Sequence, residues 1–268
     1  MENYNKKFEI GKHIPNAHKI IKEAQEKSVD FQKSMSAENK VDLNVKYGSS
    51  DRNTMDIFTP GPYVRATLIF LHGGYWLSSD KSLWSHLARG SLESSVRVII
   101  PNYTLCPDAS IPDITQQIKM CVEAVAAQYN GPIVIAGHQA GGQLAARMAC
   151  KGVLDAGVIS RISHIIPISP LSDLNPLILT SMNAKLNLTK ETAASESPAL
   201  LDVEEDITVT VWVGSDERPL YLEQAELLAA RWDCFFVKSK HLNHFDILGG
   251  LEVQTSRLLG RIFVNIEA

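Results

Sequence analysis

The chain predicts an α/β domain, with a mostly parallel central sheet and helices on both faces. Three observations carry this reading. From residue 66 onward short apolar runs alternate with amphipathic stretches. The longest of those stretches, Ile111 to Tyr129, sets Ile114, Ile118, Val122 and Val125 along one helical stripe. Glycine-rich turns close two of the apolar runs, at His72-Gly73-Gly74 and at Gly137 to Gly142.

The elements follow in order. Residues 1–40 form an N-terminal helical arm, and residues 41–268 the main domain. In the arm, Pro15 suits a first helical turn, with Ala17, Ile20, Ile21 and Ala24 on one face. Val41 to Tyr47 and Thr54 to Thr59, separated by a Gly-Ser-Ser-Asp-Arg-Asn turn, read as an antiparallel hairpin at a sheet edge. Strands are expected at Ala66–Leu71, Val96–Ile100, Pro132–Ala136, Ile162–Ile168, Ile207–Val213 and Cys234–Val237. Helices are expected around Leu83–Leu92, Ile111–Tyr129, Ala140–Cys150 and Leu220–Trp232. A closing helix sets Leu258, Leu259, Ile262, Phe263 and Ile266 inward.

Composition excludes several classes. At 268 residues, 45% of them hydrophobic and 21% charged, the chain can bury one large core. Its 26 basic and 30 acidic residues leave a net charge of −4, which gives nucleic acid nothing to bind. No run of eighteen apolar residues predicts a membrane span, and the polar N-terminus predicts no secretory leader. Cys106, Cys121, Cys150 and Cys234 lack metal-ligand spacing, and no H-E-x-x-H cluster is present, so no metal or cofactor is expected. A cytoplasmic location is the expectation, and a homodimer is left open.

Four segments follow strands on the carboxyl face, where such sheets bind ligands. Gly137-His138-Gln139-Ala140-Gly141 has the shape of the G-x-S-x-G nucleophile elbow, with glutamine at the serine position. His72-Gly73-Gly74-Tyr75-Trp76 matches an oxyanion-hole loop in its first three positions. The N–H groups around Gly73 and Gly74, with that of Ala140, would meet an oxyanion. Gly214-Ser215-Asp216-Glu217-Arg218-Pro219 offers an acid, and Leu242-Asn243-His244-Phe245-Asp246 a histidine after it in chain order. Each segment alone has a plainer reading: glycine turns, an acidic helix cap, a solvated loop histidine. His13, His18, His86 and His241 read as surface or helix residues, and His138 as packed support for the elbow.

Taken together, these segments resemble the arylformamidase (kynurenine formamidase) and small-esterase branch of the α/β-hydrolases, from Tyr47 to about Asp246. The resemblance implies an α/β-hydrolase fold and cofactor-free hydrolysis of a small amide or ester, aromatic by preference, such as an N-formyl arylamine. It makes His244 the general base. Glu217, two residues before the proline, is first choice for orienting His244, with Asp216 next. Tyr75 and Trp76 would line the pocket, and residues 167–183 its other wall.

Gln139 departs from that pattern. A carboxamide has no alkoxide form for His244 to generate, so the acyl-enzyme route is expected to be closed and turnover to be slight or absent. Two origins fit: an introduced inactivating replacement, or a native residue in a protein with another role. A non-hydrolytic ligand-binding protein and a lyase or dehydratase using His244 and the oxyanion hole are the alternatives. Cys106 is a conceivable substitute nucleophile on another loop.

Overall fold

A computed structural model describes residues 3–264 and residue 266. Its eight strands are β1 (Val41–Lys46), β2 (Thr54–Phe58), β3 (Ala66–Leu71), β4 (Val96–Pro101), β5 (Ile133–His138), β6 (Ile162–Ile168), β7 (Thr210–Gly214) and β8 (Phe235–Ser239). They form one sheet in the order β1-β2-β4-β3-β5-β6-β7-β8. The β1–β2 and β2–β4 pairings are antiparallel, and every other pairing is parallel. This is the α/β-hydrolase fold predicted from the sequence, with the predicted hairpin at one edge.

Apolar residues from the two faces of the sheet enter separate cores. Ile69, Leu71, Ile133 and Ile135 pack on one side, against α1 (Tyr4–Phe8), α3 (Ile111–Gln128), α4 (Ala140–Met148) and α5 (Pro219–Trp232). Leu68, Phe70, Val134 and Ala136 pack on the other, against α2 (Ala17–Ala37) and α6 (Arg257–Ile262). Continuous apolar strands are what a sheet covered on both faces requires. Helix α3 starts where its sequence says it should. Ser110 caps the Asp113 N–H and the Asp113 carboxylate accepts from the Ser110 N–H, a reciprocal capping box.

From β3 the chain passes to β4 on one side, then crosses through α3 to β5 on the other side of β3. The loops after β3 and β5 therefore diverge, and such a switch point opens a crevice at the carboxyl ends of the strands.

Some local expectations need correction. Pro15 lies before the arm helix, because Asn16 is left-handed (φ 58°) and α2 begins at Ala17. Of the predicted face Ala17 is buried but Ile21 is exposed, and α2 packs mainly through Ser28, Phe31 and Met35. The helix expected near Leu83–Leu92 is two 3₁₀ turns, Lys81–Leu83 and Ser85–Ala88, followed by a short helix Arg89–Glu93. Gly90 there lies so close to the C-terminal region that a Cβ would stand 2.6 Å from Leu259 Cδ1. His86 is buried rather than exposed, with Nδ1 2.7 Å from Ser28 Oγ. The ladder of β7 starts at Thr210, and Val209 makes only an isolated bridge to Ile165. Among the described residues no helix is long and apolar enough to cross a membrane.

Candidate active site

The turn after β5 is built for close approach. A Cβ on Gly137 would lie 2.0 Å from the Gly141 oxygen, and one on Gly141 would lie 2.0 Å from the Leu71 oxygen. Between these glycines Gln139 takes φ 55° and ψ −111°. Such a backbone costs a non-glycine residue about 1–3 kcal/mol and persists only where its surroundings enforce it. Residue 139 is thereby thrust out at the head of α4, where a nucleophile would stand.

The Gln139 carboxamide then folds onto the loop after β3. Its Oε1 accepts hydrogen bonds from the Gly74 N–H at 2.8 Å and the Tyr75 N–H at 3.1 Å. Gly74 (φ 111°) and Tyr75 (φ 55°) are both left-handed. Two successive N–H groups in such a turn can converge on one acceptor. Gly73 leaves room for this, since a Cβ on it would stand 3.2 Å from Oε1. The N–H groups that meet the oxygen thus belong to residues 74 and 75, one position beyond the predicted Gly73 and Gly74. Ala140, the third predicted donor, is the buried first residue of α4. The amide orientation follows from the contact, because two N–H donors require an oxygen and not an NH₂.

His244 comes from the loop after β8. Asn243 Oδ1 accepts from the Phe245 N–H at 2.9 Å and the Asp246 N–H at 3.1 Å, which fixes the turn that presents the ring. Nδ1 of His244 lies 2.6 Å from Glu217 Oε2. The other Glu217 oxygen accepts from the Ser169 hydroxyl at 2.5 Å and the Gly214 N–H at 3.0 Å. Burial alone would raise the Glu217 carboxyl, but the His244 ring and these donors prevail and hold it below the ordinary carboxylate value. Asp216 sits at the surface, bonded to its neighbour Ser215. Of the two predicted acids, only Glu217 reaches the imidazole.

With Nδ1 engaged, His244 Nε2 is buried and has no protein partner. The His138 ring packs on His244 with centroids 4.3 Å apart, and its own Nε2 is likewise unpartnered. Burial, reinforced by the charge His244 would carry, drives His138 well below the ordinary histidine value, so it stays neutral. Tyr221 flanks the other side of His244 at 4.5 Å.

These groups share a cavity of about 640 Å³ lined by Gly74, Tyr75, His138, Gln139 and His244. Its remaining walls are largely apolar, with Phe8, Ile10, Ile21, Trp84, Met182 and Phe245. Tyr75 lines it as expected, and Ser181 and Met182 represent the expected wall at residues 167–183. Trp76 does not line it, since its side chain is fully buried in the core. Cys106 is also outside it, and burial pushes that thiol up to about 11, which leaves almost no thiolate at neutral pH. Among the described residues no group of three or more His, Cys, Asp or Glu is arranged to hold a metal.

Sequence reasoning missed the arm's share of the cavity and the Ser169 hydroxyl behind Glu217. A hydroxyl residue just past the carboxyl end of β6 was the available signal for Ser169.

A sharp strand-to-helix turn, two N–H groups on one oxygen and a Glu–His pair at a switch point suit an α/β-hydrolase. Residues 68–230 match the family model described as alpha/beta hydrolase fold, and the chain belongs to that family. It is 27% identical over 241 residues to a kynurenine formamidase of Danio rerio, covering 84% of this chain and 81% of that protein. A solved structure from Silicibacter sp. tm1040, provisionally assigned as a thioesterase, superposes with a TM-score of 0.94 at 41% identity, over 98% of this chain and 99% of that one. A Pyrobaculum calidifontis esterase shares the fold, with a TM-score of 0.67 and 19% identity over 92% of each chain.

Proposed function

We propose that this protein carries an acyl-transfer site of the esterase and formamidase kind in a self-occupied form. It takes small amides or esters with an apolar, preferably aromatic, body into the cavity and turns them over little or not at all. One observation carries the reading: Gln139 Oε1 accepts from both the Gly74 and the Tyr75 N–H. The oxygen fills the place where a substrate carbonyl would be polarised, and the residue supplying it has no hydroxyl for His244 to activate. The Glu217–His244 pair supports descent from a working hydrolase, since a base held by a carboxylate has little use in a purely structural protein. The names of the relatives point toward N-formyl arylamines and aryl esters as the compounds to try first.

The lyase reading loses support from the same contact, because an enolate would find its stabilising donors taken. Ligand binding without turnover is the second reading, and the apolar walls around Gln139 favour it.

Gln139→Ser tests the proposal. Loss of the serine in subtilisin costs about 10⁶ in turnover. The variant should therefore gain about a thousandfold or more on a matched aryl ester or N-formyl arylamine. A folded variant with no gain across both substrate classes would defeat the hydrolase reading. Saturable binding of such compounds, unchanged by the substitution, would then favour the second.

A further inference from the structure

Gln139 does more than block the hole. Its chain of Cβ, Cγ, Cδ and Nε2 has the atom count of a serine Cβ and Oγ bearing a carbamoyl group, with Cγ in place of the ester oxygen. Its carbonyl oxygen already lies on the two N–H donors that would hold such an acyl group, at 2.8 and 3.1 Å. The side chain thus imitates the covalent intermediate that a hydrolase of this fold discharges with water. The groups that would discharge it are in place. His244 Nε2 is buried, unpartnered and on the same cavity, with Nδ1 anchored 2.6 Å from Glu217. The ring of His138 packs on His244 at 4.3 Å and carries a second buried nitrogen without a protein partner. Gln139 and His244 line the same cavity, from which the attacking water would come.

We propose that the protein hydrolyses its own Gln139 side chain to glutamate, making residue 139 a self-modification site. The inference rests on the reading of the site as a hydrolase relic. A water oxygen bonds to Cδ while His244 Nε2 takes one of its protons. The π electrons of the Cδ–Oε1 bond move onto Oε1, where the Gly74 and Tyr75 N–H groups hold the negative charge. As the carbonyl re-forms, the Cδ–Nε2 bond breaks and the His244 imidazolium returns its proton to Nε2. One water is consumed, one ammonia leaves and takes up the carboxylic proton as ammonium, and no electrons are gained or lost. The reaction occurs once per chain, because the product carboxylate offers no comparable leaving group. It puts a charged carboxylate at the elbow, where the encoded residue is neutral.

Freshly purified protein incubated at neutral pH in H₂¹⁸O, sampled over days and digested, provides the test. The peptide holding residue 139 should gain the mass of OH in place of NH₂, with one ¹⁸O retained in the new carboxylate, while other glutamines stay intact. His244→Gln should slow conversion about 100- to 10,000-fold, the usual contribution of a positioned base. Should that variant fail to fold, Glu217→Gln provides the same comparison, with its melting curve checked first. Conversion at equal rates with and without the base would overturn the proposal, as ordinary chemical deamidation. So would an intact Gln139 after prolonged incubation. Hydrolysis by Gln139→Ser alongside an intact Gln139 would sink only this inference, whereas an inert Gln139→Ser would count against the reading beneath it.

Discussion

Taking this protein from pH 8 to pH 5 should cost several kcal/mol of stability, through histidines that fold in the neutral form. Three are well defined. His72 stacks on Tyr103 beneath the loop after β3, with centroids 4.5 Å apart. His86 is held by Ser28 at 2.7 Å, and His164 Nε2 lies 2.9 Å from Thr210 Oγ1. Burial lowers each to about 4. The Gly73 carbonyl opposes the shift at His72 and Glu252 opposes it at His86, while Arg261 reinforces it at His164.

The direction of the effect follows from where the proton binds first. An unfolded histidine protonates near 6.5, well before these three do in the folded chain, so unfolding between those values absorbs protons. Their contribution is complete above about 6.5 and drains away as the pH falls toward 4. At pH 5 each forfeits about 2 kcal/mol, or about 6 kcal/mol together, against a whole-domain stability of about 5–15 kcal/mol. His138 adds in the same direction. Glu217 does not share this window. Its lowered carboxyl contributes stability that is present above the ordinary carboxylate value and lost only as the pH falls below it. Urea melts at pH 8, 7, 6 and 5 measure the slope, and His164→Gln should flatten it by about one proton's worth. A change under about 1 kcal/mol across that range would refute the claim that these rings fold uncharged.

Other outcomes follow from the same geometry. In a Gln139→Ser background, Glu217→Gln should lower kcat about 10⁴-fold with KM little changed, as loss of the orienting carboxylate does in serine proteases. Asp216→Asn should stay within a fewfold, and steady-state kinetics separates the two. Arg147→Ala should destabilise the fold by about 3–5 kcal/mol in urea melts. It strands the buried Glu196 carboxylate, 3.0 Å from the Arg147 guanidinium, with the neutral Thr115 and Gln143 as its remaining side-chain partners among the described residues. Deleting residues 1–11 removes Phe8 and Ile10 from the cavity wall, so calorimetry should find weaker binding of an aromatic ester analogue.

Strands β3 and β6 were legible in the sequence to the residue, because a mostly apolar run between polar flanks marks a strand buried on both faces. Helix α3 was nearly so, because Ile114, Ile118, Val122 and Val125 mark its buried stripe. The carboxyl-face glycines gave away the tight turn after β5, since a Cβ at residue 137 or 141 would meet backbone. What failed depended on distant partners. The 3₁₀ turns after residue 80 are set by contacts with α2 and the C-terminal region, as Ser28 on His86 and Leu259 beside Gly90 illustrate. Trp76 looked like a pocket residue because it follows Tyr75, but its left-handed backbone (φ 58°) accompanies a side chain buried in the core. That the Tyr75 N–H joins that of Gly74 on Gln139 Oε1 was equally invisible, since backbone N–H direction is set by dihedrals that sequence does not spell out.

A carboxamide at residue 139 also answers a stability problem that a serine leaves open. Two amide N–H groups aimed at one point serve a transition state, but without an acceptor each is a buried donor costing about 1–3 kcal/mol unless water reaches it. Gln139 Oε1 satisfies both. Alanine at this position would remove the acceptor and keep the left-handed strain, whereas glycine would remove both the acceptor and the strain. Gln139→Ala should therefore lower stability by about 1 kcal/mol, with water offsetting the rest, and Gln139→Gly should recover about as much. Denaturant midpoints for the three proteins separate hydrogen bonding from backbone strain. An alanine variant more stable than the parent would mean that the oxygen does not relieve the hole. If the order holds, a hydrolytic form with serine at this position must tolerate a less satisfied loop, and activity and stability trade against each other at this one side chain.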